Sequence, residues 1–347
     1  MMYRNSYRPI LVVLSSFALV LIVVEVLTRI FYPQPIVTQY GNNISDKYLP
    51  YKPKPLSIIA GTSASQEYTY NYEHNSFGFR DVEHTLPKDQ GVFRILGLGD
   101  SFTYGIGAEI DQTYLFVLEA MLNDLSSVSN KIEIVKAGIP RYYPYVQRLL
   151  LQHYGIHYEP DLIIIGFVPN DVIDTHYGLD AVMLDRSGYL KTRVANDMGS
   201  LGNFLYKNSH FLRIVLKRIT AYRMSQIYNP KWEEVFVENG HHEDDWIAIE
   251  NEFSKIVEIA NGIGADVLIV HIPGKSPWGD KHAYPSERLS GWAKANKVGF
   301  VDVLPAMIVE SSKEDLYYHI DGHAKPAGHA VIAQQIYDYL VGMTVVP

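Results

Sequence analysis

The sequence predicts an α/β protein built on one doubly wound parallel sheet of about five strands. Five short apolar runs, bounded by glycine, proline or polar residues, alternate with segments whose apolar residues recur at helical spacing. The clearest of these runs is continuously apolar, as expected of a parallel strand that helices cover on both faces. Alternation of this kind predicts a single layered domain.

The N-terminus is predicted to be an uncleaved membrane anchor over residues 1–31. Arg4 and Arg8 precede an almost unbroken apolar run at residues 9–24, and a spanning helix needs roughly 17 to 25 residues. A cleaved signal peptide is the alternative, but no small-x-small cleavage site follows the run. Positive charge before the run predicts a single-pass topology with the remaining chain on the periplasmic or extracellular side.

Residues 32–90 are rich in Pro, Tyr, Ser and Asn and show little helical periodicity. They are predicted to be a linker followed by an irregular lead-in. Within the lead-in, Phe77 and Phe79 are expected to be buried against the sheet.

The first strand, residues 93–99, ends on a glycine and is followed by Asp100 and Ser101. The end of a buried strand is where α/β folds bind ligands, and glycine lets the backbone turn sharply there. The remaining predicted elements follow in order: a helix at 114–125, a strand at 131–137 ending at Gly138, a helix at 145–154, a strand at 161–167, a helix at 246–263, a strand at 265–271, a helix at 285–296, a strand at 299–303 and a helix from Pro326 toward Leu340.

An insert at residues 172–245 interrupts this alternation and is predicted to be irregular. Its stretch at 212–223 has apolar residues on one side and arginine and lysine on the other. We predict a cap over the site, and a helix resting on an anionic membrane is the alternative.

Residues with catalytic chemistry follow the predicted strands at Ser101, Gly138, Asn170, Asp321 and His323. Because the carboxyl ends of parallel strands share one edge of a sheet, these residues are expected to converge. An acyl-transferring serine needs a base, a group that orients the base and donors for the oxyanion. The sequence therefore offers a candidate set for nucleophilic catalysis.

These blocks resemble those of the SGNH (GDSL) hydrolase superfamily, in its membrane-anchored bacterial form. The matching blocks are Gly99-Asp100-Ser101, Gly138 in Ala137-Gly138-Ile139-Pro140, Asn170-Asp171, and Asp321-Gly322-His323. Residues 75–81 also resemble a segment that often precedes the serine block in such members. The resemblance implies a flavodoxin-like three-layer sandwich over residues 91–345, with no cofactor and no metal.

By the same resemblance, Ser101 is the nucleophile, His323 the base and Asp321 the residue that holds the imidazole. The backbone N–H groups of Ser101 and Gly138 and the side-chain amide of Asn170 would form the oxyanion hole. Asp100 and Asp171 are assigned supporting roles. Two departures from the family pattern are Val168 where glycine is common, and an Asp-x-His spacing where Asp-x-x-His is frequent.

The resemblance implies a serine esterase that cleaves acyl esters, with acetyl the expected group and a cell-surface or exported glycan the expected substrate. Two alternatives remain open: an O-acyltransferase that modifies a polysaccharide, and an inactive membrane-tethered binding or scaffold subunit. A nucleic-acid partner is not expected, because the net charge of -8 provides no basic surface. The chain has no cysteine, which excludes disulfides and cysteine nucleophiles.

Other histidines are weaker candidates. His319 is expected in a surface loop and His329 in a structural position on the last helix. The run at residues 241–245, His-His-Glu-Asp-Asp, offers metal ligands, but a solvated loop is the preferred interpretation. Tyr142, Tyr143 and Tyr145 follow Gly138 and are expected either to stack on a sugar or to pack in the core.

Overall fold

The computed structural model describes residues 8–34, 42–63, 65–125, 131–180, 183–184, 188, 190–191, 199–216, 218–219, 232–275 and 278–343. The chain divides into two compact units. The smaller joins Met1–Ile36 with Val194–Ile227, and the larger joins Val37–Arg193 with Tyr228–Pro347.

The described strands, in chain order, are β1 (Asn43–Ile44), β2 (Lys52–Pro53), β3 (Ile58–Thr62), β4 (Thr69–Glu73), β5 (Val92–Gly99), β6 (Lys131–Gly138), β7 (Leu162–Phe167), β8 (Met183–Leu184), β9 (Leu190–Lys191), β10 (Asp266–His271) and β11 (Gly299–Asp302). The α-helices are α1 (Arg8–Phe31), α2 (Ser101–Tyr104), α3 (Tyr114–Asn123), α4 (Pro144–His153), α5 (Asn170–Tyr177), α6 (Gly199–Asn208), α7 (Glu243–Ile263), α8 (Tyr284–Asn296), α9 (Leu304–Ser311) and α10 (Pro326–Gly342).

The larger unit is built on a five-stranded sheet in the order β11-β10-β7-β5-β6, and every neighbouring pair is parallel. Counted along the chain, this is the flavodoxin-like order 2-1-3-4-5. The predicted α/β fold class is therefore confirmed by the topology. The strand order reverses between β5 and β7, so the carboxyl ends of these strands form the crevice in which such sheets bind ligands.

Two apolar layers enclose the sheet. On one face, α4, α7 and α8 pack through residues such as Leu150, Phe253 and Leu289. On the other face, α3, α9 and α10 pack through residues such as Leu118 and Ile336. All six residues of β7 are buried, as its continuous apolar run predicts.

The lead-in is not irregular throughout, which corrects the prediction for residues 32–90. β3 and β4 form an antiparallel hairpin, and Tyr70 and Tyr72 of β4 are buried while their neighbours are exposed. Alternation of this kind is the pattern of a half-buried strand, and it was visible in the sequence. The predicted burial is confirmed for Phe79, which is fully buried, whereas Phe77 is partly buried and packs against the same core.

The insert, predicted to be irregular, instead contains α6 and the short strands β8 and β9, and it also differs from its prediction at both ends. Residues 170–177, which overlap its predicted start, form α5, and α7 begins at Glu243 within its predicted end. The basic stretch at 212–223 lies partly outside the described residues, so the cap stays a prediction. Helix α9 was missed, although Pro305 at its start and the buried Met307 are typical of a short helix.

The smaller unit contains α1, whose residues Pro9–Phe31 are long and apolar enough to cross a membrane and are not buried. A signal sequence would pass the same test. Near the end of α1, the Glu25 carboxylate accepts hydrogen bonds from Ser209 Oγ at 2.8 Å and from the backbone N–H groups of His210 and Phe211 at 3.0 Å each. Arg29 donates to the carbonyl of Asn208. Part of the insert is therefore bound to the distal end of the apolar helix.

Candidate active site

The serine lies on a short helix at the carboxyl end of β5. Asp100 caps this helix, because its Oδ1 accepts a 2.8 Å hydrogen bond from Phe102 N. Ser101 is the first helical residue and is 8% exposed. The helix ends at Gly105, whose φ of 81° lies in the left-handed region. This short helix, capped at both ends, thus places Ser101 on a tight turn at the edge of the sheet.

Glycines at three strand ends allow this helix to lie directly on the sheet. A Cβ atom added to Gly99 would lie 2.0 Å from Thr103 Oγ1, and one added to Gly166 would lie 2.6 Å from the same atom. A Cβ atom on Gly138 would lie 2.5 Å from the backbone nitrogen of Tyr104. Gly166 therefore provides clearance for the serine helix, two residues before the position at which the family commonly has glycine.

His323 connects the serine to Asp321. His323 Nε2 lies 2.9 Å from Ser101 Oγ, and His323 Nδ1 is hydrogen-bonded to Asp321 Oδ1. The intervening Gly322 has a φ of 84°, a conformation that glycine adopts without strain. This local bend lets a carboxylate only two residues away reach the imidazole. The Asp-x-His spacing is therefore compatible with a hydrogen-bonded relay from Asp321 through His323 to Ser101.

The third block contacts the first through Asn170. Its Nδ2 donates a 2.9 Å hydrogen bond to Asp100 Oδ2, which fixes the amide beside the serine turn. Asp171 lies one residue later, and its Oδ2 accepts a 3.2 Å hydrogen bond from the backbone N–H of Val168. Both supporting aspartates thus hold backbone or amide groups around the candidate site. Gly138 pairs with Gly99 in the sheet and completes the set of predicted residues at this edge.

Three buried carboxylates lie behind the site. Burial raises the pKa of Asp100, although hydrogen bonds from Asn170 and Phe102 oppose it. Burial and the neighbouring charge of Asp100 raise the pKa of Asp171 well above its usual range. Burial likewise raises the pKa of Asp174 to about 6, against the lowering effect of Arg141. Burial therefore disfavours the ionised form of Asp171.

Sequence reasoning missed Arg141 and Asp174. Arg141 Nη2 lies 3.2 Å from Asp174 Oδ1, and Arg141 has a φ of 68°, which is unusual for a residue other than glycine. Such strained backbone is often found near functional sites. Asp174 lies four residues after Asn170 on α5, so helical spacing was the signal that could have found it.

The loop that carries the base is held by the lead-in. The Glu67 carboxylate accepts hydrogen bonds from the backbone N–H groups of Ile320 at 2.9 Å and Asp321 at 2.8 Å. Burial opposes the ionised form, but these hydrogen bonds prevail and lower the pKa of Glu67. Glu67 was missed because a lone glutamate in a hairpin turn has no local signature.

The lead-in also holds the serine turn. Arg80 is 4% exposed, and its Nη1 donates to the carbonyls of Tyr104 at 3.2 Å and Gly105 at 2.7 Å. Its Nη2 donates to the carbonyl of Ala108 at 2.7 Å. Arg80 belongs to residues 75–81, the segment that resembles one preceding the serine block in related chains. Through Arg80, this segment therefore stabilises the backbone that follows Ser101.

The other histidine candidates have different surroundings. His319 is exposed, and its backbone carbonyl accepts a hydrogen bond from Lys275. His329 is 1% exposed, and its Nδ1 accepts a 3.3 Å hydrogen bond from the backbone N–H of Tyr114. Burial lowers the pKa of His329 to about 3, so it is neutral at physiological pH. Within the described part of the chain, His323 is the histidine that bonds Ser101.

The chain matches no family model and no curated protein. It is similar to several solved structures. TesA is 14% identical with a TM-score of 0.44, over 72% of this chain and 99% of that one. A member of the lipolytic protein G-D-S-L family from Veillonella parvula DSM 2008 is 10% identical with a TM-score of 0.43, over 72% and 98%. A catalytic mutant of Axe2, an acetylxylan esterase from Geobacillus stearothermophilus, is 14% identical with a TM-score of 0.44, over 72% and 94%.

Proposed function

We propose that this chain is a serine esterase of the SGNH type, which cleaves O-acyl esters through an acyl-enzyme on Ser101. The observation that carries the proposal is the hydrogen-bonded relay from Asp321 through His323 to Ser101 Oγ. With Asp321 ionised, Nδ1 of the imidazole holds the proton and Nε2 is left to accept the serine proton. The 2.9 Å separation is within the range for that transfer.

Each proton in the proposed reaction has a donor and an acceptor. Ser101 Oγ attacks the acyl carbonyl while His323 takes the hydroxyl proton, and His323 then gives that proton to the oxygen of the leaving alcohol. In the second half of the reaction, water attacks the acyl-enzyme and gives a proton to His323. His323 then returns a proton to Ser101 Oγ as the carboxylic acid leaves. The products are one carboxylic acid and one alcohol.

The negative charge that develops on the acyl oxygen requires donors at the same edge of the sheet. We assign this task to the backbone N–H groups of Ser101 and Gly138 and to the side-chain amide of Asn170. The hydrogen bond from Asn170 to Asp100 and the close packing of Gly138 on the serine helix support this assignment. Each such donor is worth roughly 3 kcal/mol in the transition state.

The substrate we propose is an O-acetyl ester on a cell-surface or exported glycan. Besides the resemblance, the support is a groove of about 490 Å³ whose lining includes Tyr143, Tyr145 and Tyr177 but neither Ser101 nor His323, so it would hold the glycan away from the reacting ester. Tyrosine rings offer flat, amphipathic faces suited to sugar rings. Tyr142 is instead fully buried and packs in the core. A smaller pocket that also touches Tyr143 reaches Arg141 and Asp174 behind the candidate site.

The function is tested with p-nitrophenyl acetate, longer p-nitrophenyl esters and an acetylated oligosaccharide. We expect release of acetate into water, faster turnover of short acyl chains, and labelling of Ser101 by a fluorophosphonate. A product in which the acetyl group has moved to an added acceptor sugar would instead favour the O-acyltransferase. No turnover and no labelling in the folded chain would favour the inactive scaffold.

We propose further that α1 anchors the chain in a membrane as a single pass. Its apolar segment of 23 residues extends about 34 Å at 1.5 Å per residue, which exceeds the roughly 30 Å hydrocarbon core. The expressed chain should remain in the membrane pellet after extraction with alkaline carbonate and should have its full-length mass. A shorter chain that begins after residue 31 and enters the soluble fraction would indicate a cleaved signal peptide.

A further inference from the structure

A second cluster of ligand-type side chains lies where the insert leaves the core and returns to it. His176 is near the end of α5, while His241 and His242 directly precede α7 and Asp245 lies in its first turn. All four residues belong to the larger unit. His176 and Asp245 lie near the two ends of the insert and are 69 positions apart in sequence, so the fold brings their side chains together.

The atoms of this cluster have the spacing of a metal site. The Oδ2 atom of Asp245 lies 3.0 Å from His176 Nδ1 and 2.7 Å from His242 Nδ1. One ligand atom from each of the three residues lies within 4.8 Å of the others. Tetrahedral zinc sites, with bonds of about 2.0 to 2.1 Å, place neighbouring ligand atoms roughly 3.4 Å apart. The two distances to Asp245 are shorter than that spacing by about 0.4 and 0.7 Å, so side-chain shifts of that size would bring these pairs to coordination geometry.

A third histidine, His241, is close enough to complete that shell. The imidazole of His241 has its centroid 5.5 Å from that of His242 and 5.9 Å from that of His176. His241 is exposed, so rotation about its side-chain bonds is little hindered. Either this ring or a water molecule would occupy the fourth position.

His242 is a buried imidazole whose Nδ1 faces the cluster. It is 1% exposed, and its Nε2 has no hydrogen-bond partner in the described part of the chain. A buried polar nitrogen without a partner normally costs roughly 1 to 3 kcal/mol, so its retention needs an explanation. The nitrogen that faces Asp245 is Nδ1, at 2.7 Å, so coordination through Nδ1 would offset part of the cost of burying the imidazole and would leave Nε2 as it is.

We infer that His176, His242 and Asp245, with His241 or water, bind a divalent transition metal ion of the zinc class. Imidazole and carboxylate ligands suit Zn²⁺ and its neighbours, whereas Mg²⁺ and Ca²⁺ prefer ligand sets made only of oxygen. The ion joins the end of α5 to the start of α7 and so ties the two ends of the insert to each other. The site shares no hydrogen bond with the serine relay among the described residues.

The test is metal binding by the full chain in detergent, purified without a polyhistidine tag and stripped of metal by a chelator. Titration with Co²⁺ should give visible absorption typical of four-coordinate cobalt at one ion per chain, and Zn²⁺ should displace it. His242→Gln and Asp245→Asn should each weaken Zn²⁺ binding about tenfold or more in calorimetry. His157→Gln, which alters an exposed histidine elsewhere, should bind as the parent does.

Thermal unfolding shows whether a variant that does not bind Zn²⁺ is still folded. Zn²⁺ should raise the unfolding midpoint of the parent, because a ligand that binds only the folded state stabilises it. His176→Gln changes a partly exposed side chain, so this variant should fold and lose the Zn²⁺-dependent rise. Absence of saturable binding in the parent, or equal binding in His242→Gln and His157→Gln, would overturn the inference.

Discussion

Ser101→Ala should reduce kcat/KM for p-nitrophenyl acetate by about 10⁴- to 10⁶-fold, because the variant has no nucleophile to form the acyl-enzyme. His323→Ala should cause a loss of similar size, since His323 Nε2 is the group that accepts the serine proton at 2.9 Å. The two residues act as a unit, so the double variant should be no worse than either single variant. Steady-state kinetics on all three variants would measure this.

His319→Ala is the matched control for the histidine variant. His319 belongs to the same loop, but the residue is exposed, and its hydrogen bonds to Lys275 and Glu67 are made by the backbone. Its activity should stay close to that of the parent. If His319→Ala lost as much activity as His323→Ala, or if folded Ser101→Ala kept more than about a hundredth of the parent rate, the relay would not be the catalytic machinery.

Arg80→Leu should lower the free energy of unfolding by about 3 kcal/mol or more. The buried guanidinium donates to the carbonyls of Tyr104, Gly105 and Ala108, and leucine would leave these oxygens without that donor. A buried group that loses a charged hydrogen-bond partner is costly to fold. Urea denaturation of the detergent-solubilised chain, followed by circular dichroism, would measure the change.

Two further variants define how that result is interpreted. Arg80→Lys should lower the free energy of unfolding by less than Arg80→Leu does. It should still be destabilising, because one ammonium group cannot replace a planar guanidinium that donates to three carbonyls. Lys294→Leu, at an exposed position of α8, should change stability by no more than about 0.5 kcal/mol. A change of that small size in Arg80→Leu would show that the lead-in does not hold the serine turn.

Much of the sheet could be predicted because its signals are local. The continuous apolar run that forms β7 predicts a buried parallel strand wherever it lies, and β5 ends on glycine as its sequence indicates. The site residues at Ser101, Asn170 and His323 follow from the same logic, since parallel strands bring their carboxyl ends to one edge. The relay in the structure joins the residues that this logic selected.

The residues that were missed have partners far away in the chain. Glu67 binds the backbone of Asp321 across 254 positions, and Arg80 binds that of Ala108 across 28. Neither residue belongs to a repeating pattern, so neither could be identified from periodicity. Hairpin β3–β4 differs from these residues, because its alternating tyrosines are a local signal of a strand. That signal lies in a stretch rich in proline and polar residues, which led to the prediction of irregular structure.

The sequence by itself determined the alternation of strands and helices, the fold class that follows from it and the blocks that converge at one edge of the sheet. Hydrophobic periodicity and strand-end residues decide these features locally. Only the tertiary structure decided how Gly166 makes room for the serine helix, that Glu67 and Arg80 hold the two loops of the site, and that His176 meets Asp245. Those outcomes depend on packing between distant segments, where hydrogen bonds form between whichever polar groups the fold brings within reach.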